Sequence, residues 1–484
     1  MPSDTLPTTI VALCAALAVE LDAWAVAHRP ATLAEHEQGV LASLRRVAGH
    51  LLGAVLERAQ GLDHPAARRQ QASCPSCGTR RRPRQWRTRR PVTVCGVAPL
   101  RRPEFRCRPC GTQWAPTDDA LGLAAHQALS AGWQAWVVET GAELPYRQAA
   151  GQLERRAGIG LGAETVRAHT ERVGTALAAA QDAAAATVRA THEAAEPLDP
   201  PPVTEVLVAE ADGLQVRFLD GWHEVKVGEV AGCRPGMGGD EDGTPRQPPV
   251  LRAPSYVATT AAKDGFGGRW LAEAARRGAL EGVGWEQPPG TDPRLTGVTG
   301  PALAILREVV VLGDGAHWIW DLAAEHFGDR RTEILDYWHA TEHVWALGRA
   351  VHTPTRDVGD RAGAWAAAWC ADLLEHGPSA FLAHLADLPR PSTTEAAEVL
   401  RVERGYFTTN APRMQYPAYR ARGLPIGSGA VESAAKHVVQ TRMKRAGMRW
   451  GTKGGEAVAS LCAYRASRRA FDTLVTPPPV AKAA

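Results

Sequence analysis

The sequence predicts an α/β protein, with an α/β region over residues 203–340 set among helical and Cys/Arg-rich segments. Three observations predict it. Between residues 203 and 330, β-type runs alternate with helical patterns. Two apolar runs, "VLVAEADG" and "VVVLGDG", each end on Asp-Gly, at Asp212 and Asp314. Residues 1–70, 120–200 and 340–425 are helical in pattern.

In chain order the elements follow from local chemistry. A chain of 484 residues exceeds one hydrophobic core, so two to four domains are expected. With 45% hydrophobic and 22% charged residues it is a globular protein, not a disordered one. The opening "TIVALCAALAVELDAWAVA" carries Glu20 and Asp22 and lacks a basic start. It reads as an amphipathic helix of an N-terminal helical region (1–70), neither signal peptide nor membrane span. No other stretch approaches a span, so a cytoplasmic protein with no membrane partner is expected. Residues 71–115 are Arg- and Pro-rich and hold five of the nine cysteines. Residues 120–200 return to helix, with a helix–turn–helix: Tyr146–Arg156, a Gly-rich turn, then a helix from Ala163. "EPLDPPP" marks a boundary.

Strands follow at "TEVLVAEADGLQVRF", "WHEVKVGEVAG" and "PSYVATT", the last two separated by "CRPGMGGDEDGTPRQPP", which reads as an exposed, mobile loop. A helix near Gly267–Arg277, the strand before Asp314, another helix and the strand-to-helix segment "TEILDYWHA" complete the region. Residues 341–425 read as all-helical, 426–470 as one more helix or pair, and 471–484 as a disordered tail.

"CPSC" (Cys74, Cys77) and "CRPC" (Cys107, Cys110) are two C-x-x-C pairs about thirty residues apart. Four thiolates on two knuckles close a tetrahedral zinc site, and a β-ribbon arm accounts for the spacing. With all four positions filled, the zinc is structural. Cys95, inside the arm, is not a ligand. Net charge is only +3, but eleven arginines against one acid, Glu104, lie in residues 80–108. Arg81, Arg82, Arg84 and Arg87 in this setting point to nucleic-acid phosphates.

Asp212 and Asp314, carried by two strands, suit a Mg²⁺ site built from hard oxygens. A third acid completes a two-ion arrangement. Glu432, early on the helix after "GLPIGSG", is the leading candidate; Asp336 and Glu325 stay open. An Asp-Gly pair is also an ordinary turn signal, so Asp212 alone reads as a turn residue.

The segments "LGDGAHWIWDLAAEHF", "ILDYWHATEHVW" and "NAPRMQYPAYRARGLPIGSGAVESAAKHVVQTRMKRAGMRW" together resemble the ISKra-type insertion-sequence transposases, within the DDE group that includes the Mutator-like elements. "DGLQVRFLDGWHEVKVGEV" resembles the first-acid block, and the match covers about residues 200–465. The resemblance implies an RNase H-like catalytic domain with a mostly helical insertion over 341–425. It implies catalytic acids at Asp212, Asp314 and Glu432 holding two Mg²⁺ ions, and a D-x-x-H signature at Asp336 and His339. The implied reaction is cleavage of transposon ends and strand transfer into target DNA. Partners would be double-stranded DNA and further copies of the chain, as a homodimer or larger, with the protein associated with the nucleoid when bound. End recognition would fall to the zinc arm and to Arg147, Gln148, Arg155, Arg156, Arg167 and His169 of the helix–turn–helix. Arg442, Lys444 and Arg445 would face target DNA, and His339 the scissile strand. Trp318, Trp320, Trp338 and Trp345 read as core, with stacking of one on an unpaired base as the sharper alternative. His317 and His343 read as ordinary helix residues. Competing readings are a non-catalytic, domesticated DNA-binding protein and an RNase H-like nuclease without strand transfer.

Overall fold

The computed structural model describes residues 6–193, 206–239, 245–277, 308–352, 361–389 and 393–475. The boundary "EPLDPPP" and residues 476–484 lie outside the described residues, whereas the start of the expected disordered tail is ordered: Phe471 is buried and Asp472–Val475 form a short helix. The chain divides into two units, residues 1–173 with 471–484, and residues 174–470.

In the first unit, helices α1 (Leu6–Ala27) and α2 (Leu33–Ala59) form a hairpin, α2 opened by a capping box of Thr32 and Glu35. The α1 helix is not the amphipathic stripe that was expected. It buries none of its residues, and its Glu20 turns to α2, accepting from Ser43 and pairing with Arg46 (2.9 Å). Both helices are long and apolar enough to cross a membrane by length and composition, so α2 also overturns the expectation that no second stretch approaches a span. Core helices and N-terminal signal sequences meet the same criterion.

The Cys/Arg segment is a small β module. Strands β1 (Ala72–Ser73) and β2 (Arg80–Arg81) pair, and β3 (Gln85–Arg89), a tip turn of β4 (Val92–Thr93) and β5 (Gly96–Val97), and β6 (Leu100–Arg106) make an antiparallel ribbon that β7 (Gln113–Trp114) extends. After α3 (Pro116–Ala120) come α4 (Ala131–Glu143), α5 (Tyr146–Ala157) and α6 (Ala163–Glu193). Their core is Trp133, Val137, Ala149, Leu153 and Val166. The turn is set by Gly158, left-handed at φ 66°, and the two helices start where the sequence puts them.

The second unit carries a five-stranded mixed sheet. Its strands are β8 (Val206–Arg217), β9 (Trp222–Arg234), β12 (Val250–Thr259), β13 (Val309–Gly313) and β14 (Arg331–Leu335), in spatial order β12-β9-β8-β13-β14. The first three pair antiparallel; β8, β13 and β14 are parallel. All five residues of β13 are buried, which is why its sequence is an unbroken apolar run rather than an alternation. The segment expected as a loop instead contains strands β10 (Met237–Gly239) and β11 (Pro245–Gln247), which pair beside β9 and β12; residues 240–244 lie outside the described residues. Helices α7 (Lys263–Arg276) and α8 (His317–Phe327) bring Phe266, Trp270, Ile319 and Leu322 into the sheet's core. The helical segment comprises α9 (Tyr337–Val351), α10 (Arg361–Ala386, kinked at Gly377–Pro378), α11 (Thr394–Asn410) and α12 (Tyr416–Ala421). The last region is a pair of helical stretches, 429–443 and 452–466, one of the two forms expected for it. It is α13 (Gly429–Ala434), a π-type turn over Ala435–Gln440, α14 (Thr441–Met443) and α15 (Thr452–Ala466).

Candidate metal centres and nucleic-acid interface

The two cysteine knuckles are built alike, "CPSCGT" and "CRPCGT". In each the glycine, Gly78 (φ 70°) or Gly111 (φ 74°), takes a left-handed conformation that an L side chain resists. Its N–H thereby reaches back to the carbonyl of Cys74 or Cys107, 2.9 Å in both. The ribbon brings the knuckles together. Cys74 Sγ lies 3.5 Å from Cys110 Sγ, and Cys77 Sγ lies 3.5 Å from Cys107 and 3.6 Å from Cys110. All four sulfurs fall within 4.8 Å of one another. A tetrahedron with metal–sulfur bonds of about 2.3 Å has edges of about 3.8 Å, so the group fits a zinc ion.

Thr112 Oγ1 sits 3.2 Å from Cys110 Sγ and holds that thiol down at about 6; Thr79 Oγ1, 3.3 Å from Cys77 Sγ, lowers Cys77 in the same way. Thiolate, the ligand form, is thereby favoured. These threonines were not singled out from the sequence, although the repeated Cys-Gly-Thr is the signal for them. Cys95 lies in the β4–β5 turn, outside the cluster.

The arginines of this module separate into two sets. Arg89 and Arg102 are claimed by Asp118 (2.8 and 2.7 Å). Arg81 is half-buried beside Cys107; against the Cys110 backbone bond, burial and the neighbouring Cys77 and Cys110 thiols push the Cys107 thiol up, and the guanidinium offsets this only slightly. Arg82, Arg84 and Arg87 are exposed, as are Arg80, Arg90, Arg101, Arg106 and Arg108. In the helix–turn–helix, Arg147, Gln148, Arg155 and Arg156 are exposed. Arg167 is not available as expected: it bridges Glu164 and Glu171 (2.8 Å) on its own helix. His169 is half-buried beside Arg172 (3.2 Å), and burial, then the arginine's charge, depress its pKa.

The acidic residues meet on the sheet. Leu312 of β13 pairs with Glu210 of β8, so two residues further on Asp314 stands level with Asp212. Gly313 pairs with Leu335 of β14, so Asp336 is level with Asp314 in turn. Neighbouring strands are about 4.8 Å apart, and three aspartates thus lie level across three adjacent parallel strands, just past the ends of β13 and β14 and midway along the longer β8. Asp212 is no turn residue: β8 runs straight through Asp212–Gly213, and the turn is made later, at Asp220–Gly221. Burial, then the charges of Asp314, Glu432 and Glu224, push the Asp212 carboxyl up, against the Gly213 N–H it accepts at 2.7 Å.

Helix α13 delivers Glu432 and is pinned at three points. Its Val431 N–H donates to the buried Glu210 carboxylate (2.8 Å), Ser428 donates to Asp336, and the Tyr337 N–H holds the Ile426 carbonyl (2.9 Å). Glu432 itself is 66% exposed and accepts from Lys436 (2.6 Å). Among the described residues the four cysteines are the one group of three or more potential ligands drawn within 4.8 Å, so the three carboxylates are neighbours but do not close to that distance. Three like charges repel, and a lysine four residues on offers Glu432 a partner instead.

Asp336 is occupied as the cap of α9 (Trp338 N–H, 2.7 Å) and by Ser428; no bond to His339 is made, and His339 instead faces Glu342 (3.7 Å). Glu325 faces Arg189 (3.8 Å). His343 was undervalued. Its Nδ1–H donates to the Glu403 carboxylate (2.7 Å), and its ring stacks on Tyr406 at 3.7 Å, whose hydroxyl donates to the Asp314 carbonyl (3.4 Å). The i, i+4 pair His339/His343 on one helix face was the signal. Arg442 is buried over the Trp450 ring (4.8 Å) and is not a DNA contact; Lys444 and Arg445 are exposed. Trp320 is core and Trp318 packs against it, whereas Trp338 (66%) and Trp345 (39%) are exposed, contrary to the core expectation for both.

Compared with family models and with curated proteins, the chain matches none.

Proposed function

We propose that the protein is a DDE-type DNA transposase with an RNase H-like catalytic region, in which Asp212, Asp314 and Glu432 hold catalytic Mg²⁺ and the cysteine module holds a structural zinc. One observation carries the reading: the parallel β8–β13 register sets Asp212 and Asp314 side by side, and the helix bearing Glu432 is bonded back to that same strand through Glu210.

The donor set suits Mg²⁺. It consists of carboxylate oxygens, and burial, then like charges, already disfavour ionised Asp212, which a cation would reverse. Bound there, Mg²⁺ would supply an activated nucleophile and stabilise the leaving 3′-oxygen. The chain's own residues do the positioning. Glu210, Asp336 and Ser428 fix α13, and through it Glu432. The Tyr406–His343–Glu403 array braces the loop of Asp314. Lys444 and Arg445 supply positive charge after the π-type turn, for phosphate. The exposed Trp338, packed beside Gly427 of the same Gly-rich turn, is the aromatic placed to stack on an unpaired base.

The test is Mg²⁺-dependent cleavage of plasmid DNA carrying the sequences that flank the gene, followed by joining of pre-cut ends. Wild type cleaves and joins. Asp314→Ala binds the ends and does neither. Cleavage by Asp314→Ala at the wild-type rate would discard the assignment.

A further inference from the structure

The hairpin turn between β8 and β9 is chemically odd. Turns favour small polar residues, yet "RFLDGW" exposes Leu219 (72%) and Trp222 (61%) at its tip. Neither side chain is buried by the described residues of this unit. Their neighbours are firmly anchored. Phe218 is fully buried and bridges to Trp450; Leu219 N–H donates to the Trp450 carbonyl (2.9 Å), and Trp450 N–H to the Arg217 carbonyl (3.2 Å). Trp450 is fixed in turn by its Nε1–H on the Met443 carbonyl (3.0 Å) and by the buried Arg442 above its ring. The tip is therefore a rigid projection with two apolar residues aimed at solvent.

The rim is cationic. The Arg217 guanidinium lies 5.7 Å from the Trp222 ring centroid, and the segment bridged to the tip brings exposed Lys444, Arg445, Arg449 and Lys453. The acid at the tip, Asp220, is paired with His223 (2.9 Å). Apolar residues on a rigid projection amid cations match the chemistry of a wedge between base pairs, with phosphates held on either side.

We propose that Leu219 and Trp222 form a wedge that enters double-stranded DNA and unstacks a base step. This rests on the transposase reading for its substrate and adds to it a site of duplex distortion. The position follows from the strand. Trp222 pairs with Arg217, five positions along β8 from Asp212, which is about 17 Å. At about 3.4 Å per base pair the opened step lies about five base pairs from the scissile phosphate.

The experiment uses the full chain and duplexes tiling the DNA that flanks the coding sequence. Permanganate reactivity of thymines and 2-aminopurine fluorescence report unstacking in buffer without Mg²⁺, so the readout does not require chemistry. Wild type should unstack one step about five base pairs from the cut that it makes when Mg²⁺ is added. Leu219→Ser/Trp222→Ser should abolish that signal, slow cleavage at least about tenfold, and regain rate on a duplex mismatched at that step. Wild-type unstacking by the double variant overturns the wedge, as does a rate loss that the mismatch does not restore, or a variant whose one defect is a changed oligomeric state. Cleavage without any unstacking would remove the wedge and leave the transposase reading standing. Unstacking without Mg²⁺-dependent cleavage would do the reverse.

Discussion

Glu210 offers the sharpest perturbation of the acidic site without touching a proposed ligand. Its carboxylate is buried, and one oxygen accepts the Val431 N–H at 2.8 Å, tying α13 to the central strand. Glu210→Ala leaves that N–H without its acceptor, a cost of about 1–3 kcal/mol. If all of it falls on the docking of α13, the population with Glu432 in place drops by roughly 5- to 150-fold, since 1.4 kcal/mol is a factor of ten. Single-turnover cleavage should fall by that factor, and hydrogen exchange of the Val431 amide should accelerate in step. Glu210→Gln keeps an acceptor oxygen and should retain most of the rate. Global stability need not fall, because burial already pushes the Glu210 carboxyl up to about 8, and the alanine removes that strain. Wild-type cleavage by Glu210→Ala with unchanged Val431 protection would refute the link between strand and helix.

Other outcomes follow from the same structure. Stripping metal with a chelator should unfold the cysteine module, seen as lost protection in β3 and β6, and Co²⁺ should restore it with thiolate absorption; an unchanged module in chelator would exclude a structural ion. Replacing exposed Arg82, Arg84 and Arg87 together by alanine should lower the slope of log K against log salt for duplex binding by up to about 2.7, at about 0.9 per phosphate contact. Glu229 is buried opposite Glu210, and burial pushes its carboxyl up to about 7. A raised folded-state pKa means stability present in full below the unfolded value and lost as pH rises towards 7. Glu229→Gln should therefore gain on wild type by up to about 1.4 kcal/mol per pH unit between about pH 4.5 and 7, read from denaturant midpoints without added Mg²⁺.

How much the sequence discloses differs by site. The cysteine cluster is legible because two C-x-x-C pairs make their geometry locally, each knuckle closing within six residues. The helix–turn–helix is legible for the same reason: Gly158 ends one helix and periodicity starts the next. The acids are half legible. Apolar runs ending on Asp-Gly identify Asp314, but the same dipeptide at Asp212 lies mid-strand and at Asp220 makes the turn, and only pairing with β9 tells them apart. The role of Arg442 cannot be read from charge, since it is decided by the Trp450 ring packed against it, whereas the partners of Arg167, Glu164 and Glu171, stand at helical spacing on its own helix and were legible. Glu210 stayed hidden because its partner, Val431, is more than two hundred residues away.

The central claim is that Asp212, Asp314 and Glu432 together hold divalent cations. Counting Mn²⁺ by electron paramagnetic resonance on the zinc-loaded protein–DNA complex tests it most directly. About two tightly held Mn²⁺ per site in wild type, lost in Asp212→Ala/Asp314→Ala and weakened in Glu432→Ala, is the expected result. Equal Mn²⁺ binding in all three proteins would contradict it.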